Sequence, residues 1–132
     1  MELRLRSELP ETTERVVRDT IGCAIEVHRR LGPGLLEAIY ADALAIELDV
    51  AKLHFQREHE IAILYRGHPL RPHRVDLVIE GRVLVELKAV ERMLPLYQAQ
   101  VISYLKASGL RVGLLINFNS TVMKEGLRRI VV

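Results

Sequence analysis

Residues Val75-Asp-Leu-Val-Ile-Glu-Gly-Arg-Val-Leu-Val-Glu-Leu-Lys-Ala-Val90 form two apolar runs around Glu80-Gly81, with Asp76, Glu86 and Lys88 set inside them. Branched apolar runs divided by a glycine predict a core β-hairpin, and the remainder of the chain must then cover a sheet. Strand side chains alternate faces, so Val75, Leu77 and Ile79 are expected on one face and Arg74, Asp76 and Val78 on the other. The second strand divides into Val83, Val85 and Leu87 against Leu84, Glu86 and Lys88. A two-residue Glu80-Gly81 turn would set Asp76 opposite Val85 and mix charged with apolar side chains. A three-residue loop, Ile79-Glu80-Gly81 with Gly81 left-handed, matches apolar with apolar. Asp76, Glu86 and Lys88 then share a face.

Helical spacing surrounds this hairpin. Val17, Ile21, Ala24, His28 and Leu31 recur at steps of four and three, predicting a helix from about Thr13 to Leu31 that Gly32-Pro33-Gly34 ends. A second helix is predicted from about Leu35 to Leu48, with Glu37 in its first turn. Phe55 to Tyr65 reads as a strand and Arg66-Gly67-His68-Pro69 as a turn. Pro95 opens a third helix that Gly109 closes. Val112 to Phe118 reads as a buried strand and Ile130 to Val132 as a short last one.

No repeat, linker or low-complexity tract divides the 132 residues. The expectation is therefore one domain over 1–132, with 1–10 as a flexible N-terminal segment. A chain of this length buries roughly two thirds of its unfolded surface, enough for a core without disulfides. The single cysteine, Cys23, excludes an internal disulfide and a cysteine-rich zinc site, and is read as a buried helix residue. No apolar run approaches the about 18 residues of a membrane helix, and the first residues lack the apolar core of a signal peptide. A cytoplasmic protein without a membrane partner is expected. The net charge of +2 permits contact with a polyanion without requiring it. The basic pairs Arg29-Arg30, Arg71 with Arg74, and Arg128-Arg129 are read as solvated surface, as are His54, His59, His68 and His73. His28 is read as a packed or helix-end histidine.

The charged hairpin face has a plain reading, a surface Glu86–Lys88 pair worth about 0–1 kcal/mol. Three features favour chemistry instead: the strand is apolar on either side of the charges, helices are available to cover both faces, and two acids converge. Converging, partly desolvated carboxylates repel unless a cation or proton lies between them. Magnesium suits that demand, since it binds through one or two carboxylates, keeps waters and takes phosphate oxygens. A neighbouring lysine can orient the attacking water or offset transition-state charge.

Asp76 followed by Glu86-Leu87-Lys88 resembles the motif of the PD-(D/E)XK nuclease superfamily, and Gly34-Leu-Leu-Glu37-Ala-Ile-Tyr40 resembles the GxxExxY signature of a family of small proteins within it. Ile25 to Gly34, Val85 to Glu91 and Gly113 to Asn119 extend the likeness to nearly the whole chain. The proline that often precedes the first acid is absent, since the sequence reads Arg74-Val75-Asp76. The resemblance implies an α/β, restriction-endonuclease-like core, a mixed central sheet flanked by helices. It implies Asp76 and Glu86 as metal ligands, Lys88 as the catalytic lysine and Glu37 as an acid supplied by an N-terminal helix and a further metal ligand, with Glu26 as the substitute if Glu37 points away. Gln100-Val-Ile-Ser-Tyr104 resembles the Q-x-x-x-Y element of the exonuclease-like branch, and positions 100 and 104 share a helical face, so both are read equally as catalytic-site residues or as packing of a helix on the sheet. Tyr40 is read equally as a core aromatic or a substrate contact.

The functional expectation is a Mg²⁺-dependent nuclease, with Mn²⁺ as the substitute ion, hydrolysing phosphodiester bonds in DNA or RNA. Two other readings remain open: a non-catalytic module binding nucleic acid or protein on the same scaffold, and a regulatory protein whose acids bind structural metal. Cutting two strands with one small domain calls for two copies, so a homodimer is expected.

Overall fold

The computed structural model describes residues 2–4, in backbone alone, and 9–132. Strands β1 (Glu2–Arg4), β2 (Phe55–Ile61), β5 (His73–Ile79), β6 (Val83–Lys88), β7 (Val112–Asn117) and β8 (Leu127–Val131) form one sheet in the order β1-β8-β7-β6-β5-β2. The pairs β6/β7 and β1/β8 are parallel and the others antiparallel, so the sheet is mixed. The expected terminal segment 1–10 falls partly on residues 1 and 5–8, outside the described residues. Among the described residues no helix is long and apolar enough to cross a membrane.

Two helical layers enclose the sheet. Helices α1 (Glu11–Leu31) and α2 (Glu37–Val50) cover one face, where Val17, Ala24, Val27, Leu44 and Leu48 pack on Leu77, Ile79, Val83, Val85, Leu87 and Leu114. Helix α3 (Pro95–Ser108) covers the other, where Val101 and Leu105 pack on Val75, Val78, Leu84, Leu115 and Ile130. α3 is the crossover between parallel β6 and β7, as parallel neighbours require. It passes so close to β7 that a Cβ at Gly113 would stand 2.7 Å from Val101 Cγ1. Glu11 and Glu14 begin α1 and His28, Arg29 and Arg30 end it, matching the helix dipole. Gly109, left-handed at φ +77°, caps α3 through its N–H to Leu105 O. Cys23 is buried, which pushes its thiol up to about 11.

The hairpin loop departs by one residue from its expected position. Arg82 N–H bonds Ile79 O at 2.9 Å, with Glu80 and Gly81 both at positive φ, so these two residues make the tight turn. Arg82 is the additional residue, and Ile79 faces Val83. The odd count still matches apolar with apolar. A second departure is larger: Val75 packs with the α3 layer whereas Leu77 and Ile79 pack with the α1/α2 layer. β5 therefore changes its facing at Asp76, which periodicity alone had carried straight through.

Three other elements differ from the sequence expectation. The strand expected over 55–65 ends at Ile61, and β3 (Leu64–Tyr65) and β4 (His68–Pro69) form a separate two-stranded arm around Arg66-Gly67. The last strand begins at Leu127, after a short α4 (Met123–Gly126), because Arg128 and Arg129 lie within it and mask its apolar character. Arg129 is half-buried and forks onto Glu14 at 2.6 and 2.9 Å, so this basic pair is not simply solvated surface.

The junction between α1 and α2 is pinned by Tyr40. Its fully buried side chain stacks on Phe118 at 4.7 Å, donates its hydroxyl to Gly32 O at 2.5 Å and accepts Leu35 N–H at 3.1 Å. Gly34, at φ +105°, donates its N–H to Asn119 Oδ1. Glycine, glutamate and tyrosine at this spacing thus turn the chain, begin α2 and hold the turn to the core. Tyr40→Phe removes both hydroxyl bonds while keeping the ring, and is expected to cost about 1–2 kcal/mol. Urea unfolding would show a lower midpoint at unchanged slope; a midpoint equal to wild type would mean that the hydroxyl does not hold the junction.

Candidate active site

The β5–β6 ladder pairs Leu77 with Val85, Val78 with Leu84 and Ile79 with Val83. Extended by one step, that register sets Asp76 opposite Glu86, and there the carboxylates replace the ladder. Asp76 Oδ2 accepts Leu87 N–H at 2.7 Å, and Glu86 Oε1 accepts Asp76 N–H at 3.0 Å. Each strand's acid thus satisfies an N–H of the other strand. On the opposite side of β5, Arg57 pairs with Leu77 and His59 with Val75, so the intervening Glu58 of β2 faces Asp76. Glu58 has φ +52°, an uncommon conformation for a side-chain-bearing residue. Three acidic residues therefore occupy one cross-strand row over β2, β5 and β6.

Like charges directly opposite one another destabilise a sheet, and burial adds to the strain on Asp76 and Glu86. Burial, followed by the charge of Asp76, pushes the Glu86 carboxyl up to about 7. Asp76 is raised by burial, against the lowering effect of the Leu87 N–H. Glu37, the first residue of α2, remains accessible to solvent along its side chain, yet partial burial of its carboxylate and the charge of Asp76 raise it as well. The facing change of β5 lets Asp76 sense Glu37 from one helical layer and His73 and Lys88 near the other.

Lys88 ends β6 with its ammonium 4.5 Å from the centre of the Tyr97 ring, a cation–π contact from α3. Tyr104, two turns further along, stacks on His73 at 3.9 Å, and burial together with the Glu86 charge raises its pKa. Gln100 lies between these tyrosines in sequence, one turn from each along the same helical stripe, and is half-buried. Beneath Lys88, buried Asn117 bonds both backbone groups of Val90, and Phe118 N–H bonds Lys88 O. The end of β6 is thereby held by β7.

Of the residues singled out from the sequence, Asp76, Glu86, Lys88, Glu37 and Tyr104 are drawn into one electrostatically linked group. Glu26 is not part of it: its carboxylate pairs with Arg29 and Arg30 on α1. His28 bonds Ser120 O at 2.7 Å, a structural tie. Tyr40 lies in the core. Sequence reasoning missed Glu58, whose place depends on pairing across a loop, and Tyr97, whose spacing of seven from Tyr104 was the available signal. It also read His73 as surface, whereas half-buried His73 packs against Tyr104 because β5 enters the sheet beneath α3.

The donor set is all oxygen, which suits Mg²⁺ or Mn²⁺ rather than zinc or copper. Among the described residues no three acid, histidine or cysteine side chains stand in metal-holding geometry.

The raised Glu86 carboxyl has a consequence for stability in chelator. Its folded pKa of about 7 exceeds its ordinary 4.5, so its contribution is complete below the unfolded value and lost as pH rises through about 7. Glu86→Gln removes this loss while its amide oxygen still accepts the Asp76 N–H. The variant should match wild type near pH 5 and exceed it near pH 8 by about 2 kcal/mol in urea unfolding. Parallel pH profiles would contradict the burial of a strained acid here.

Residues 14–130 match the sequence model of the PD-(D/E)XK nuclease superfamily. No curated protein and no solved structure matches the chain significantly. The mixed sheet between helical layers and the paired acids on adjacent strands agree with that match and with a restriction-endonuclease-like fold. By this match over most of its length, the chain belongs to the PD-(D/E)XK nuclease superfamily.

Proposed function

We propose that the protein is a metal-dependent nuclease that hydrolyses phosphodiester bonds in DNA or RNA, with Asp76 and Glu86 holding Mg²⁺, or Mn²⁺ in its place. The observation that carries this reading is the reciprocal bonding of Asp76 and Glu86 across the open end of the hairpin. It fixes two carboxylates beside one another although their charges repel, an arrangement that a cation relieves. The signature Gly34-Leu-Leu-Glu37-Ala-Ile-Tyr40 further supports membership of the GxxExxY family, with Glu37 as the third acid.

A divalent cation bound here supplies Lewis-acid polarisation of the phosphate and makes an attacking water more acidic. The chain's own residues do the rest. Lys88, steadied by Tyr97, orients the water and offsets charge developing on the phosphate oxygens. Glu37, with its raised pKa, is suited to accept or return a proton at the mouth of the site. Gln100 and Tyr104 line the α3 side and position the phosphate. The family resemblance supports a nucleic-acid partner, the lack of a signal-peptide core at the first residues supports a cytoplasmic location, and the need to cut two strands with one small domain supports a homodimer, which light scattering would test.

A second reading, a non-catalytic nucleic-acid- or protein-binding module, draws on one observation. Asp76 Oδ2 and Glu86 Oε1 are both already committed to backbone N–H groups, so the acids also serve as structural fasteners of the hairpin end. Two experiments separate the readings. Purified wild type should cleave members of a labelled DNA and RNA panel with Mg²⁺ or Mn²⁺ and stop in EDTA, whereas Glu86→Gln and Lys88→Ala should each lose more than about a hundredfold in rate. Mg²⁺ or Mn²⁺ should also raise the unfolding midpoint of wild type but not of Glu86→Gln. Undiminished cleavage by both folded variants would refute the assignment of roles; binding without cleavage would favour the module.

A further inference from the structure

Between Glu60 and Asp76 the chain contains no acid, and it carries Arg66, Arg71 and Arg74 together with His68 and His73. The β3–β4 arm occupies this stretch. It belongs to no larger sheet, and Leu64, Tyr65, Arg66, His68, Pro69, Leu70 and Arg71 are all exposed. Tyr65 leaves 63 % of its surface in solvent, unusual for a tyrosine on a structured element. The arm is nonetheless built to a defined shape. Arg66 and Gly67 have φ of +50° and +78°, as a tight hairpin turn requires, Tyr65 faces His68 across it, and Leu70 N–H bonds Ile63 O at 2.8 Å.

Its base joins the site directly. The β2–β5 ladder runs from the Glu58–Asp76 row to its last pair, Ile61 with His73, and the arm leaves from that end. His73 is three residues from Asp76, about 10 Å along a strand. The site is otherwise rich in carboxylates (Glu37, Glu58, Asp76 and Glu86), which repel a polyanion until a cation binds. Beyond Lys88, attraction of a polyanion to this region then falls to cations outside the acid cluster. Arg74 is engaged with Glu60 at 3.5 Å, which leaves Arg66 and Arg71 to present their guanidinium groups along the arm.

We propose that the β3–β4 arm is a clamp for a single-stranded segment of nucleic acid, with an unpaired base stacked on Tyr65 and flanking phosphates held by Arg66 and Arg71. The inference rests on the reading that the acid cluster acts on phosphodiester bonds, and names the form of substrate delivered to it. Stacking on an exposed tyrosine requires a base free of its own helical stack, and guanidinium groups beside such a ring are the common equipment of single-strand binding surfaces. The exposed Leu64 and Leu70 widen the apolar part of the same arm.

The test is fluorescence anisotropy with labelled oligo-dT and oligo-U strands and a blunt duplex, in EDTA so that nothing is cut, alongside cleavage assays in Mg²⁺. Tyr65→Ala should weaken single-strand binding about tenfold, and Tyr65→Phe should leave it unchanged. Replacing Arg66 and Arg71 by Ala should reduce the salt slope of log K by about 1.4. Unfolding midpoints should remain at wild type, since the substituted side chains are exposed. Single-strand affinity and salt slope unaffected by these changes, or binding of the duplex alone, would overturn the clamp. Cleavage by wild type that persists equally in the arm variants would reject the clamp and keep the nuclease reading. Absence of cleavage with arm-dependent binding in EDTA would do the reverse.

Discussion

Everything about the site depends on how β5 and β6 part company. The paired ladder between the two strands ends at Leu77 and Val85. There the Asp76 and Glu86 side chains take over, each satisfying an N–H of the opposite strand. Such partly buried, charge-assisted bonds are stronger than neutral ones and offset the local opening of the sheet. They also force two carboxylates into proximity, with Glu58 brought alongside by β2 and Glu37 by the first turn of α2. The opening that organises the site is thus the same feature that strains its electrostatics.

The surrounding fold keeps that strained region in place. Tyr40 locks the α1–α2 turn to Phe118, and Gly34 joins the same turn to Asn119. Asn117, two residues back, secures the chain leaving β6 just beyond Lys88. The short segment 117–119 therefore ties the start of α2, which carries Glu37, to the end of β6, which carries Glu86 and Lys88. On the opposite face, α3 approaches β7 at Gly113 closely enough to bring Tyr97 over Lys88 and Tyr104 against His73. Two helical layers contribute to one site because Asp76 is where β5 changes its facing.

Much of this was legible in one dimension. Three helices, the hairpin and the buried strand β7 are encoded in local periodicity and in glycine and proline punctuation, which act over a few residues. Asp76, Glu86 and Lys88 stood out because a charge inside an apolar strand is costly without a purpose, and Glu37 because it sits within a glycine-to-tyrosine spacing that resembles a known signature. Less visible were β8, whose arginines Arg128 and Arg129 disguise a strand, and the small arm 64–69, which looked like the end of β2. Glu58 gave no local signal, since its role arises from a cross-strand neighbour eighteen positions away.

The sequence by itself determined the fold class, the order of most elements, the parity of the hairpin and the setting of Asp76, Glu86 and Lys88 as charges within apolar strands, because these follow from side-chain chemistry and from spacing along the chain. Only the tertiary structure decided that the turn centres on Glu80-Gly81 with Arg82 as the additional residue, that β5 changes its facing at Asp76, and that Glu37 rather than Glu26 approaches the cluster. It also decided that Tyr40 fastens a loop and that the arm stands clear beside the site. Each of these depends on contacts between segments distant in sequence, where packing and backbone satisfaction outweigh local preference.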